Sequence, residues 1–200
     1  MKNKLLVMAL FFAVSVCFAQ EKVVESSTGK SFPSVEKFKY NGTDYSVNLT
    51  GVTVRKKFFF KVYGMAHYLQ DPVKSDKKTG INNILSDGKA KQISMIFVRD
   101  VDKKKIQDTY MEGFQNNSSQ EDFNKIQPQV NQFLGYFSKD VNENDEIVLR
   151  WLPRGTVITI FQGEEKPAIT NKMFARILWS IWFGDDSPVD VDDLISRIVK

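Results

Sequence analysis

The chain has 200 residues, 28 Lys and Arg against 24 Asp and Glu, a net charge of +4, one histidine and one cysteine. That length suits one domain with a sizeable core, and the near balance of charge gives no electrostatic footprint for nucleic acid. With only His67 and Cys17 available, a zinc centre, a disulfide framework and thiolate chemistry are excluded from the body of the chain.

Lys2 and Lys4 precede an apolar run from Leu5 to Val16, and Cys17-Phe18-Ala19 puts small residues at the −3 and −1 positions of a cut after Ala19. The pattern predicts a signal peptide over 1–19 and a periplasmic or secreted mature protein that begins at Gln20. The apolar run is shorter than the ~20 residues a bilayer span requires, so no transmembrane segment is expected in the mature chain. Residues 20–34 are polar without a clear period and predict a loose arm, leaving one domain over 35–200. Val35 to Tyr40 and Tyr45 to Leu49 alternate on either side of Asn41-Gly42, a strong hairpin signal because both residues tolerate positive φ. Gly51 to Asp71 then reads as one long strand. Phe58, Phe60, Val62, Gly64, Ala66 and Tyr68 fall on one face, and Phe59, Lys61, Tyr63, Met65, His67 and Leu69 on the other. Gly64 and Ala66 leave room for something to lie close to the backbone. Pro72 to Lys78 is a charged loop, and Ile81 to Leu85 a short helix ended by Gly88.

Gln92 to Val98 reads as a strand, followed by a helix capped by Asp100 or Asp102. Ile106, Tyr110, Gly113 and Phe114 share its inner face, and Lys103-Lys104-Lys105 form a solvated one. Ser118 and Glu121 predict a capping box for the next helix, whose stripe is Phe123, Ile126, Val130, Phe133, Leu134 and Phe137, with a kink or restart at Pro128. Ile147 to Leu152 and Thr156 to Phe161 pair as strands around Pro153-Arg154-Gly155, and Gln162-Gly163 is a turn. Met173, Phe174, Ile177, Leu178, Ile181 and Trp182 make an apolar helical face stopped by Gly184. Ser187-Pro188 opens a last helix. Strands, helices, strands, helices in that order point to an α+β architecture, an antiparallel sheet with its helices gathered on one face.

No Gly-rich phosphate loop or nucleophile motif is present, and no cofactor is expected. A lone His67 inside a strand reads as a buried side chain with one hydrogen-bond partner. Trp151, Trp179 and Trp182 read as core by their apolar periodicity; an exposed tryptophan patch is the alternative that would suit an envelope protein-interaction module. The distinctive groups are the cations Arg55, Lys61 and Arg99 on strands that otherwise look buried. A guanidinium at the lip of an apolar cleft binds a carboxylate bidentately, and Tyr63, Tyr68 and Tyr110 offer hydroxyl donors. The bland alternative pairs Arg99 with Asp100 or Asp102 at the surface.

Three stretches carry a resemblance: Gly51 to Asp71, Phe97-Val98-Arg99-Asp100-Val101-Asp102, and Asn171-Lys172-Met173-Phe174 running to Ile181-Trp182-Phe183-Gly184. Together they span most of the chain after about residue 45, and the sequence resembles the chalcone isomerase-like family. The resemblance implies an open-faced β-sandwich with a ligand cleft between the long strand and the helices. It also implies one of two activities. Fatty-acid-binding members hold a carboxylate with an arginine and a tyrosine, for which Arg99 and Tyr110 are the matches. The plant enzyme closes a flavanone ring in a cleft lined by an arginine, a threonine and a tyrosine. Arg55 matches its arginine, but Tyr63 stands at the threonine position, and the helix tyrosine falls near Gln107 or Asp108. The resemblance therefore favours a binding protein for a fatty acid or similar amphipathic carboxylate over an intramolecular lyase. Its candidate ligand residues are Arg55, Tyr63, Tyr68, Arg99, Tyr110, Thr170 and Asn171.

Overall fold

The structure, a computed structural model, describes residues 21–200. The expected signal peptide lies outside the described residues. The first described elements, β1 (Lys22–Val24) and β2 (Ser31–Pro33), pair antiparallel. Glu25 closes the turn between them, accepting from the Ser27 N–H at 2.9 Å and the Thr28 N–H at 2.7 Å. Phe32 is buried. The segment expected to be a loose arm is thus a small hairpin. Three-residue strands are too short to show a period, and although Gly29 takes a positive φ in the turn, the Glu25 carboxylate that organises it is not a usual turn signal.

The main sheet contains β3 (Val35–Tyr40), β4 (Thr43–Lys57), β5 (Phe60–Leu69), β6 (Lys91–Phe97), β7 (Glu146–Leu152), β8 (Thr156–Phe161), β9 (Glu164–Glu165) and β10 (Ile169–Thr170). Its order is β10-β8-β7-β6-β5-β4-β3, with β9 on β8 and every pairing antiparallel. Asn41-Gly42 and Gln162-Gly163 make two-residue turns with positive φ at both positions. The expected single strand from Gly51 to Asp71 is instead two strands, reversing at Phe58-Phe59, where Lys57 pairs with Phe60. An unbroken run of phenylalanines gave no turn signal.

Five helices appear among the described residues: α1 (Lys77–Leu85), α2 (Lys103–Asn116), α3 (Gln120–Gly135), α4 (Lys172–Phe183) and α5 (Val191–Ile195). Asp102 caps α2, accepting from the Lys104 N–H at 2.7 Å. Ser119, not Ser118, caps α3 by accepting from the Asp122 N–H at 3.1 Å. Pro128 is carried on the exposed side of α3, which runs through it without a restart. α5 begins at Asp190 rather than at Ser187-Pro188, because the Asp190 carboxylate accepts from the Asp192 N–H at 2.9 Å.

The helices cover one face of the sheet. Met65, Met95, Ile147 and Phe161 on that face pack with Phe114, Phe133, Phe174 and Trp179. Burying each such side chain is worth about 1.5–3 kcal/mol against leaving it in water. The opposite face is concave. Arg150 on β7 and Phe38 on β3 are four strand spacings apart, about 19 Å in a flat sheet. Yet the guanidinium lies 4.0 Å from the ring centroid, so the sheet curls toward that side. A second core of Phe32, Val47, Leu49, Ala66, Tyr68, Leu152 and Ile158 fills the concavity. The space left by Gly64 is taken by the first hairpin: a Cβ there would meet Thr28 Oγ1 at 2.7 Å. The architecture is the expected open-faced β-sandwich.

Candidate ligand-binding site

Cross-strand partners share a face of a sheet. Arg55 pairs with Tyr63, and Tyr63 with Phe97, so the three form one row across β4, β5 and β6. Met65 and Met95, one step along, belong to the core under the helices, which places the row on the helical side. α2 and α4 lie over it. Between them is a cavity of about 800 Å³, within the ordinary range for small-molecule sites. Its walls are Val62, Met95, Phe97, Ile106, Tyr110, Ile181 and Trp182, and its rim carries Lys57, Phe58, Phe60, Arg99, Asp102, Lys105 and Glu112.

Two phenols define the polar part of the wall. The Trp182 Nε1–H donates to the Tyr63 hydroxyl oxygen at 3.1 Å, and the Tyr63 ring packs 5.3 Å from Phe97. Burial raises the Tyr63 pKa, against a smaller downward pull from the Trp182 bond and the Arg55 charge. Tyr110 is held in place by Phe137, stacked at 5.1 Å, and by Phe133, edge-on at 4.9 Å. Burial and then the nearby Tyr63 push its pKa well above the ordinary value. Both phenols therefore keep their protons at neutral pH. Because Tyr63 accepts from Trp182, its own proton is free to be donated, and the Tyr110 hydroxyl has no hydrogen-bond partner among the described residues.

The two arginines differ in setting. Arg55 is half-buried, and its Nη1 donates to the Pro188 carbonyl at 3.0 Å and to the Lys56 carbonyl. Ser187 fixes that loop by donating to the Trp182 carbonyl at 2.8 Å. Arg99 is exposed at the rim, with its guanidinium 4.6 Å from the centre of the Phe60 ring. The surface pairing of Arg99 with Asp100 or Asp102 does not form. Asp100 accepts from the Glu143 N–H at 2.7 Å, and Asp102 caps α2. Neither arginine is in an ion pair among the described residues.

Four of the seven residues singled out from the sequence, Arg55, Tyr63, Arg99 and Tyr110, thus meet at one cavity. The other three lie elsewhere. Tyr68 is buried on the concave face, in the second core, with its hydroxyl unpartnered. Thr170 sits in β10 with its hydroxyl 3.2 Å from that of Thr156. Asn171 is the N-cap of α4, accepting from the Met173 and Phe174 N–H groups at 2.9 and 3.1 Å. Lys61 turns away to the Ser27 carbonyl. His67 is fully buried behind the site, with Nδ1 2.7 Å from the Thr50 hydroxyl. Burial, then the Lys91 charge, depresses its pKa well below normal. The apolar periodicity marks Trp182 as core alone. A buried indole N–H demands an acceptor, and that demand was the one available sign that it meets a wall hydroxyl. All three tryptophans are buried, so they form no exposed tryptophan patch.

The sequence model of the chalcone isomerase-like family matches residues 30–195. Among solved structures, a crystal structure of a fatty-acid-binding protein from Arabidopsis thaliana is similar, with a TM-score of 0.71 and 16% identity, covering 89% of this chain and 96% of that one. No curated protein matches the sequence.

Proposed function

We propose that this chain, which belongs to the chalcone isomerase-like family, is a non-catalytic protein that binds a fatty acid or similar amphipathic carboxylate. The observation that carries the reading is the row at the cavity: a half-buried guanidinium without an acidic partner, beside two protonated phenols, on walls that are otherwise apolar. A carboxylate accepts from all three groups, and each methylene of its tail buried against the walls contributes about 0.8 kcal/mol. The similar Arabidopsis protein is described as binding fatty acids, which agrees with this chemistry. Arg55 is the better-placed anchor, because its charge is partly withdrawn from water while Arg99 is exposed.

The lyase alternative requires a substrate ring to occupy the space around Tyr63. That phenol is packed on Phe97 and bonded by Trp182, and a misfilled cleft loses the orientation on which ring closure depends. The proposal also places the protein in the periplasm or outside the cell, with Gln20 as its mature N-terminus, which N-terminal sequencing checks. Titration of a fluorescent fatty acid tests the binding reading. Arg55→Ala is expected to weaken binding by about 2–5 kcal/mol, the cost of leaving one side of a buried charge pair unmatched, and Arg99→Ala by less. Equal affinities for wild type and both variants, or stereoselective turnover of a chalcone, would overturn it.

A further inference from the structure

The β4–β5 turn is built against local preference. Phe58 and Phe59 form a two-residue reversal, with Phe58 at φ 55. A bulky side chain seldom adopts that conformation, because its Cβ crowds the following carbonyl oxygen. The other tight turns of the main sheet also hold Asn41, Arg154 and Gln162 at positive φ, but each has a glycine beside it, Gly42, Gly155 or Gly163, and the β4–β5 turn has none. Phe58 and Phe59 do not repay the strain with packing: they are 85% and 98% exposed, and Phe60 beside them is 58% exposed. Three neighbouring exposed phenylalanines form a patch that a soluble surface rarely shows without a partner.

The charge around the patch selects the partner. Arg55, Lys56, Lys57 and Lys61 bracket the three rings with no acid among residues 55–61, and the Arg99 guanidinium lies over Phe60. Of the α2 acids near Lys57, Asp108 is paired with Lys104 and Asp102 caps the helix, which leaves Glu112 beside Lys57 and Lys105. An aromatic tip on a basic collar matches an anionic bilayer surface. Rings enter the boundary between headgroups and acyl chains, while each cation near the surface contributes attraction to acidic lipids. We propose that the β4–β5 hairpin tip docks this protein on membranes rich in anionic phospholipid. Phe58 and Phe60 also form part of the cavity rim. If the cavity holds an acyl ligand, as proposed above, docking sets its mouth against the bilayer and lets the ligand enter from the membrane.

The docking step is tested without any fatty acid, so its failure leaves the binding reading intact. The probe is co-sedimentation with vesicles of phosphatidylglycerol and phosphatidylethanolamine, against vesicles of phosphatidylcholine alone. Wild type is expected to partition at least tenfold more strongly onto the anionic vesicles. Phe58→Gly/Phe59→Ser should lose at least tenfold of that binding without a lower unfolding midpoint, because glycine relieves the positive φ. Lys56→Ser/Lys57→Ser, a second variant, should also lose binding and flatten its salt dependence. Absent sedimentation of wild type, equal binding to both vesicle types, or undiminished binding by both folded variants would overturn the proposal. So would concentration-dependent self-association through the tip in place of vesicle binding.

Discussion

Lys91 offers a sharp test of the helical-side core. It has no exposed surface, and its Nζ donates to the Ile84 carbonyl at 2.9 Å and to the Ser86 carbonyl, 3.9 Å from the centre of the Trp151 ring. Burial lowers its pKa to about 7, with Asp87 pulling the other way and Lys89 adding to the drop. Unfolded, the amine returns to about 10.4. Between those values the unfolded chain binds more protons than the folded one, so stability rises with pH. Linkage puts the gain from pH 7 to 9.5 at about 3 kcal/mol. Tyr63, Tyr68 and Tyr110 have raised values and oppose this only above about pH 10, while His67, with its lowered value, acts only below about 6.5. Urea unfolding at several pH values across the window, followed by tryptophan fluorescence, reads the slope directly. Lys91→Met removes the titrating group and should flatten the curve. A wild-type protein equally stable at pH 7 and 9.5, or a variant with the wild-type slope, would refute the account of Lys91 as a desolvated amine.

Two further substitutions separate packing from binding. Gly51→Ala would place a Cβ 2.0 Å from the Asp193 carbonyl oxygen on α5, and should cost about 3 kcal/mol in urea unfolding, the upper end for overpacking, because backbone faces backbone there. Asn171→Ala removes the α4 cap and should cost about 1 kcal/mol of stability with no change in fatty-acid affinity. A loss of affinity would return Asn171 to the binding site.

The turns and faces that were legible in the sequence share one property: a residue whose chemistry permits little else. Asn41-Gly42 and Gln162-Gly163 announce positive φ, and the alternation of Tyr63, Met65, His67 and Leu69 announces a buried face. The Phe58-Phe59 reversal carries no such mark, because its residue types favour extended strand, and the strain there is visible only in the backbone. The first hairpin was hidden by its brevity. Caps slipped by a residue or more where several candidates stood together, as with Ser118 and Ser119, or with Ser187 and Asp190. At the site, strand parity already held the answer for Tyr68. It is five residues from Tyr63, an odd number, so the two point to opposite faces of β5 and cannot line one cleft. Asn171 opens one of the stretches that carry the resemblance, but its side chain is spent on capping α4, and Thr170 before it ends β10.

The chemistry of the cavity turns on what the protein's own acids are doing. The bland alternative to a ligand role paired Arg99 with Asp100 or Asp102, which follow it directly in the sequence. Both carboxylates instead accept backbone N–H groups, Asp100 from Glu143 and Asp102 from the first turn of α2. Arg55 is oriented by two carbonyls, which are neutral acceptors that hold a guanidinium without cancelling its charge. Arg99 is oriented by an aromatic ring, which does the same. Beside Arg55 stand phenols whose raised pKa values make them donors rather than competing anions. Apart from the carboxylates Asp100, Asp102 and Glu112 at its mouth, the charged and phenolic groups of the cavity offer protons or positive charge to it. A neutral lipid satisfies the apolar walls but leaves those donors unmatched, and an amine-bearing lipid repels them. A carboxylate matches both halves of the site, which is why the acidic head group, rather than the hydrocarbon alone, is the discriminating feature of the proposed ligand.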